Sequence, residues 1–285
     1  AVLRYTIKAC EIGKGTVEAK RFYVKIYRDD EGARTFHTLK ALSAITTCIG
    51  EGFTVAEPVA YVPAQRALIQ EEMPGSTLLQ LLIEDRVTTT SLHNIARALA
   101  MLNQDDLAVA QRHTLQDEIE DIRRAGRLLQ WCCPDLAAEI QPIVQTLSAH
   151  LQATIDEKTT GAPTHGDLKP EHILCNGDRL ALVDLDSFAE AEPLLDPASF
   201  LARLSGVPLR FSISPDRVRA AAQAFADQYL AHVPPAWRAN LDLRYAAALL
   251  DTAASFFRNQ EPEWPAKIST LVAEAKDALR GKDWS

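Results

Sequence analysis

Two aspartates, a lysine and a histidine sit close together near the middle of the chain, at spacings that could do chemistry. The stretch THGDLKPEHIL, Thr164 to Leu174, puts Asp167, Lys169 and His172 in one loop. A second carboxylate, Asp184, ends the apolar run LALV, 184 − 167 = 17 positions later. Between them the apolar pieces HILC and LALVDLD flank Asn176-Gly177-Asp178, a hairpin signal. A loop, a strand, a turn and a strand span about that length, so the spacing predicts that a hairpin brings the two carboxylates to one site. Phosphoryl transfer asks a protein mainly for positioning and charge neutralisation. It needs a carboxylate near the attacking hydroxyl, metal ligands, and a cation on the phosphates. Asp167 suits the first role and Asp184 the second, while Lys169 could reach a transferring phosphate. His165 suits a structural role, holding the loop through backbone hydrogen bonds.

The flanking sequence shows what must position these groups. VLRYTIKACEI and RFYVKIY are rich in β-branched and aromatic residues, which predicts an antiparallel hairpin over residues 4–12 and 20–27. Gly13, Lys14 and Gly15 read as its turn. EGARTFHTLKALSAI has helical spacing through Phe36, Leu39 and Leu42. Two further short strands are expected before Pro74-Gly75. Beyond Gly75 the pattern is helical. Ile95, Leu99 and Leu102 share one face, Ile119 and Ile122 another, and Ile143, Leu147 and Leu151 a third. Thr114 with Asp117 reads as an N-terminal cap, and Ser214-Pro215 as a helix start. In QDEIEDIRR, Ile119 and Ile122 predict one packed face, with the charges in water.

The expected fold class is therefore α+β. A small β-rich N-terminal lobe, residues 1–73, precedes a larger and mostly helical C-terminal lobe, residues 74–285, which carries the loop and hairpin. A formal net charge of −8 argues against a nucleic-acid-binding surface. No run approaches the length of a membrane span, and no signal-peptide pattern opens the chain. The five cysteines form no C-x-x-C pair, which suits a reducing cytoplasm.

The loop resembles the protein-kinase catalytic loop H-R-D-L-x-x-x-N, with Gly166 in place of the arginine and His172 in place of the asparagine. More specifically, it is similar to the H-G-D-x-x-x-x-N loop of the aminoglycoside phosphotransferase and choline kinase-like enzymes. Macrolide phosphotransferase-like members carry histidine where His172 stands. VDLDSFAEAEPLLDPASFLA resembles their metal strand and the segment after it. Asp184 then falls on the metal aspartate, Glu192-Pro193 on an Asp-Pro pair, and Asp196 on a later aspartate that braces the loop. The resemblance covers most of the chain and is specific between residues 163 and 201.

The resemblance implies a bilobal protein kinase-like fold. It implies an ATP- and magnesium-dependent phosphotransferase acting on a hydroxyl of a small molecule, with His172 and Asp184 as metal ligands and Asp167 and Lys169 as catalytic groups. Lys25 in RFYVKIY would contact the α- and β-phosphates. Main-chain groups of Glu71 and Met73 would pair with adenine. The short stretch from Asp184 to Asp196 leaves no room for a long activation loop, which disfavours protein substrates. The family's glycine-rich loop is expected two strands ahead of Lys25. GKG at residues 13–15 lies only one strand ahead, so that loop precedes Ala1 or is missing. Thr35 stands where a helix glutamate normally pairs with the strand lysine, and Glu31, opening the same helix, is the candidate substitute. These departures leave a second reading, a non-catalytic nucleotide- or partner-binding regulatory module. The sequence identifies neither the acceptor nor the oligomeric state.

Nitrogen is a softer ligand than the oxygens magnesium prefers. If His172 ligates the metal, manganese should support activity at least as well as magnesium. His172→Asn should keep activity and lose that manganese preference, as rates measured in the two metals would show.

Overall fold

The computed structural model describes residues 1–10, 17–49, 52–155 and 161–281. From the N-terminus run β1 (Val2–Cys10), β2 (Val17–Ile26), α1 (Glu31–Ile49), β3 (Phe53–Val55), β4 (Pro58–Val62), β5 (Ala67–Glu71) and β6 (Ser76–Thr77). Then come α2 (Leu78–Ile83), α3 (Thr89–Leu102), α4 (Leu115–Cys132), α5 (Ala137–Thr154), β7 (Ala162–Thr164), β8 (Ile173–Asn176), β9 (Arg179–Leu182) and β10 (Ala189–Ala191). The chain ends with α6 (Leu195–Arg210), α7 (Pro215–Ala231), α8 (Pro235–Arg238), α9 (Leu241–Arg258) and α10 (Trp264–Ala278). It divides into two compact units. The first holds Ala1–Leu78 and Glu171–Phe188, and the second holds Leu79–Pro170 and Ala189–Ser285.

In the first unit β1 and β2 pair antiparallel from Val2↔Lys25 to Cys10↔Val17. The expected hairpin is present, while its turn at residues 13–16 lies outside the described residues. The sheet continues in the order β1-β2-β5-β4, with Lys25 opposite Leu68 on β5. Leu39 and Leu42 of α1 are buried, as the helical spacing requires, and so is Leu68. A second sheet has the order β3-β9-β8-β6. Its β8–β9 hairpin turns through Gly177, whose φ of 60° is a conformation that costs glycine little. Gly75, at φ 134°, has no room for a side chain, because a Cβ there would lie 2.7 Å from the carbonyl oxygen of Cys175. That glycine lets β6 pair closely with β8.

The second unit is helical apart from the short β7–β10 pair. Ile95 and Leu99 on α3, Ile119 and Ile122 on α4, and Ile143, Leu147 and Leu151 on α5 are all buried. Phe200, Phe225, Tyr229, Tyr245 and Phe256 complete the core from α6, α7 and α9. Each such side chain contributes on the order of 2 kcal/mol through the apolar surface it withdraws from water. Thr114 caps α4 as expected, in a reciprocal box with Asp117. Ser214 precedes α7 with Pro215 in the first turn, but its side chain makes no capping hydrogen bond, so proline alone sets that start.

One expectation about α4 is corrected. Its charges are not all in water, since Glu118 is 7% exposed and pairs with Arg244 of α9 at 2.6 Å. Glu118, just before Ile119, sits on the packed face, so its carboxylate needs a buried cation, while Glu120 just after it is exposed.

Candidate active site

Each unit carries one cluster of the residues singled out above. In the first unit, β2 presents Lys25 with its side chain only 15% exposed. The ammonium hydrogen-bonds to Asp184 and lies 3.1 Å from Asp186 Oδ2. Burial opposes its charge, but the two carboxylates outweigh burial and hold its pKa above the ordinary lysine value. Asp184 stands just beyond β9 in the left-handed backbone region, with φ 65° and ψ 56°. A non-glycine residue there is strained, and such strain gathers at functional sites. The amide of Val183 donates to the carbonyl of His172 at 3.0 Å, which ties the two segments together. His172 Nε2 then lies 3.3 Å from Asp184 Oδ2. Its hydrogen bond with His172, with Lys25 adding to it against burial, holds the Asp184 carboxyl well below the usual carboxylate range.

Asp186 is the hub of this cluster's second half. Its Oδ1 accepts from the Tyr27 hydroxyl at 2.8 Å and lies 3.3 Å from Thr35 Oγ1. Burial and the Asp186 carboxylate push the Tyr27 phenol well above its ordinary pKa, so Tyr27 remains a donor. Lys25 has no carboxylate from α1 within ion-pair distance among the described residues. Asp184 and Asp186 fill that role where Glu31 was the candidate. Tyr27 and Asp186 escaped the sequence reading, although one signal pointed to Tyr27. Tyr27 directly follows β2, two positions past Lys25, so strand alternation tends to put the two on one side, while Asp186 lies in the 3₁₀ turn Leu185–Ser187 after Asp184 and no such periodicity marks it. Glu71 ends β5, and its amide donates to the Glu57 carbonyl at 3.0 Å. Met73 follows the strand and is half-buried.

In the second unit the loop before Leu168 is held from beneath. Asp196, in the first turn of α6, is fully buried and accepts from the amides of His165 at 2.6 Å and Gly166 at 3.0 Å. This is the brace implied by the resemblance. Gly166 takes φ 79°, which a side chain would disfavour. His165 is buried, and its Nδ1 lies 3.4 Å from the Asp167 amide, the loop-holding role expected of it. Asn103 donates to the Pro163 carbonyl and accepts from Tyr229, so α3 and α7 also steady the loop. Asp167 emerges 38% exposed, with Lys169 Nζ at 2.8 Å and Arg203 Nη2 at 3.8 Å. Arg203, on α6, also binds Asp251 at 2.9 Å and Ser255 at 3.2 Å. No motif in the sequence marked Arg203, which reaches Asp167 only through the fold.

The sequence profile of the phosphotransferase enzyme family matches residues 12–243. The chain belongs to that family. The match spans both clusters. No curated protein matches the sequence. Among solved structures, the chain is similar to a choline/ethanolamine kinase family protein from Mesorhizobium loti. Identity there is 15%, TM-score 0.61, and coverage 92% of this chain and 85% of that one. An amicoumacin kinase, solved with AMP-PNP, calcium and amicoumacin, aligns at 13% identity and TM-score 0.65, covering 95% of this chain and 88% of that one. The aminoglycoside phosphotransferase APH(3'')-Id from Streptomyces rimosus, solved with ADP and streptomycin, aligns at 17% identity and TM-score 0.53, covering 80% and 86%. The fold is thus the kinase-like α+β fold that the loop motif implied.

Glu192, which the resemblance sets on an aspartate before proline, lies close to Arg244. It accepts from the Leu194 amide at 2.9 Å and shares Arg244 with Glu118. Burial pushes its carboxyl from 4.5 up to about 7, against the pull of Arg244 and with the help of Glu118. A carboxyl that binds its proton more tightly folded than unfolded stabilises the fold at low pH. That contribution is whole below 4.5 and is lost as pH rises through about 7. The melting temperature should therefore carry a fall as pH is raised from 4.5 to about 7, levelling off above it, and Glu192→Gln should flatten that fall.

Proposed function

We propose that this phosphotransferase uses ATP with magnesium to phosphorylate a hydroxyl group of a small molecule. The observation that carries the reading is the Lys25–Asp184–His172 cluster inside the span of the family match. Lys25 is the buried cation for the α- and β-phosphates. Asp184 and His172 are the metal ligands. Among the described residues no three such side chains converge as a ready-made metal cage. That fits magnesium in phosphotransfer, which takes one or two protein ligands and completes its shell with phosphate oxygens and water. When bound, such an ion neutralises charge on the transferred group. Asp167 orients the acceptor hydroxyl and accepts its proton, and Lys169 steadies the phosphate. The Glu71 carbonyl and Met73 main chain remain the proposed adenine contacts.

The acceptor is a small molecule, since the nine residues between Asp186 and Asp196 contain the end of a 3₁₀ turn and β10 and hold no long activation segment. Among the described residues no helix is long and apolar enough to cross a membrane. Cys132, Cys133 and Cys175 are free thiols, and a cytoplasmic location suits them.

Asp167→Asn tests the reading. ATP binding should persist by calorimetry, while turnover should drop about a hundredfold or more, the usual worth of general-base positioning. Turnover close to that of the unaltered protein would remove Asp167 from the mechanism. Binding without turnover in the unaltered protein, across a broad panel of hydroxyl acceptors, would favour the regulatory-module reading.

A further inference from the structure

We propose that Asp186 is the positioning residue that keeps Lys25 in place once Asp184 engages a metal ion. This rests on the reading of Lys25 as the phosphate-binding cation. Asp184 has two claims on it, because its oxygens serve Lys25 and face His172 Nε2 at 3.3 Å. A divalent ion on those oxygens competes with the ammonium for them, since both are cations seeking one carboxylate. Lys25 would then lose a partner while 15% exposed, just when it must point at phosphate. Asp186 does not share that conflict. Its Oδ2 takes Lys25 at 3.1 Å, while its Oδ1 is held by Tyr27 at 2.8 Å and by Thr35 at 3.3 Å. Groups from β2, from the residue after it, and from α1 thus fix the carboxylate from three sides. Thr35 is 3% exposed and offers a hydroxyl, so α1 holds Lys25 indirectly, through Asp186.

The test is calorimetric binding of ATP to Asp186→Asn with magnesium and again in EDTA, together with magnesium activation of turnover. Loss of the carboxylate should weaken ATP about tenfold with magnesium, where the metal draws Asp184 away, and by less in EDTA, where Asp184 still holds Lys25. The magnesium concentration needed for half activation should stay unchanged. Placing the carboxylate on α1 instead, with Asp186→Ser and Thr35→Glu together, should recover part of the affinity. A raised magnesium requirement would make Asp186 a metal ligand and overturn the proposal. Unchanged binding in both conditions, or an equal loss in both, would overturn it too. Should Asp186→Asn fail to fold, Tyr27→Phe takes its place, and a roughly twofold to threefold loss with magnesium, short of that from removing the carboxylate itself, is the expected result. No loss there would overturn the proposal. If the unaltered protein binds no ATP, it is the phosphotransferase reading that falls.

Discussion

A carboxylate with no exposed surface, Asp196, holds the loop that carries Asp167. Charge taken out of water must be repaid by directed hydrogen bonds, and here two consecutive backbone amides supply them. The arrangement fixes the backbone of His165 and Gly166 from below, so Asp167 projects from a base that does not shift. Burial still pushes the Asp196 carboxyl up to about 6, against those two amides and Asn103. The loop amides oppose that push and favour the charged carboxylate, and the carboxylate in turn holds the two amides in place. Asn103 and Tyr229 extend the same logic outward, each using its polar atoms on a neighbour that would otherwise be buried unpaired.

The first unit meets the opposite demand. Asp184 is open to solvent, its side chain 42% exposed. Its left-handed backbone and its bonds to His172 and Lys25 keep it directed despite that exposure. Rigidity therefore comes from burial around Asp196 and from cross-bracing by partners around Asp184. Both outcomes are set by the local supply of donors, and neither needs a large apolar pocket.

Much of this was legible in the sequence because it is local. The hairpin through Asn176-Gly177, the cap of Thr114 with Asp117, and the buried faces of α3, α4 and α5 depend on residues a few positions apart. The loop motif with Asp184 and Asp196 behind it is also short-range, spanning about thirty positions. What the sequence did not show depends on distant pairing. Glu118 looks like a solvated helix charge until Arg244, 126 positions away, is found against it. Asp186 gains its meaning only from Tyr27 and Thr35, more than 150 positions earlier. Arg203 is one helix arginine among several until α6 aims it at Asp167. Hydrophobic periodicity tells which side of an element is inside, but not which charge waits there.

The chain passes from one unit to the other three times, after Leu78, after Pro170 and after Phe188. The first unit's second sheet takes both its inner strands, β8 and β9, from the returning segment. A fragment ending at Leu78 would therefore carry β3 and β6 with nothing between them. The first unit is not a module that a single gene break could separate and recombine. Any lineage that exchanged its first third for another's would also have to exchange an eighteen-residue patch in the middle of the gene. That patch holds His172, Asp184 and Asp186, so these residues and the strand lysine that the two aspartates hold are bound to be inherited as a set.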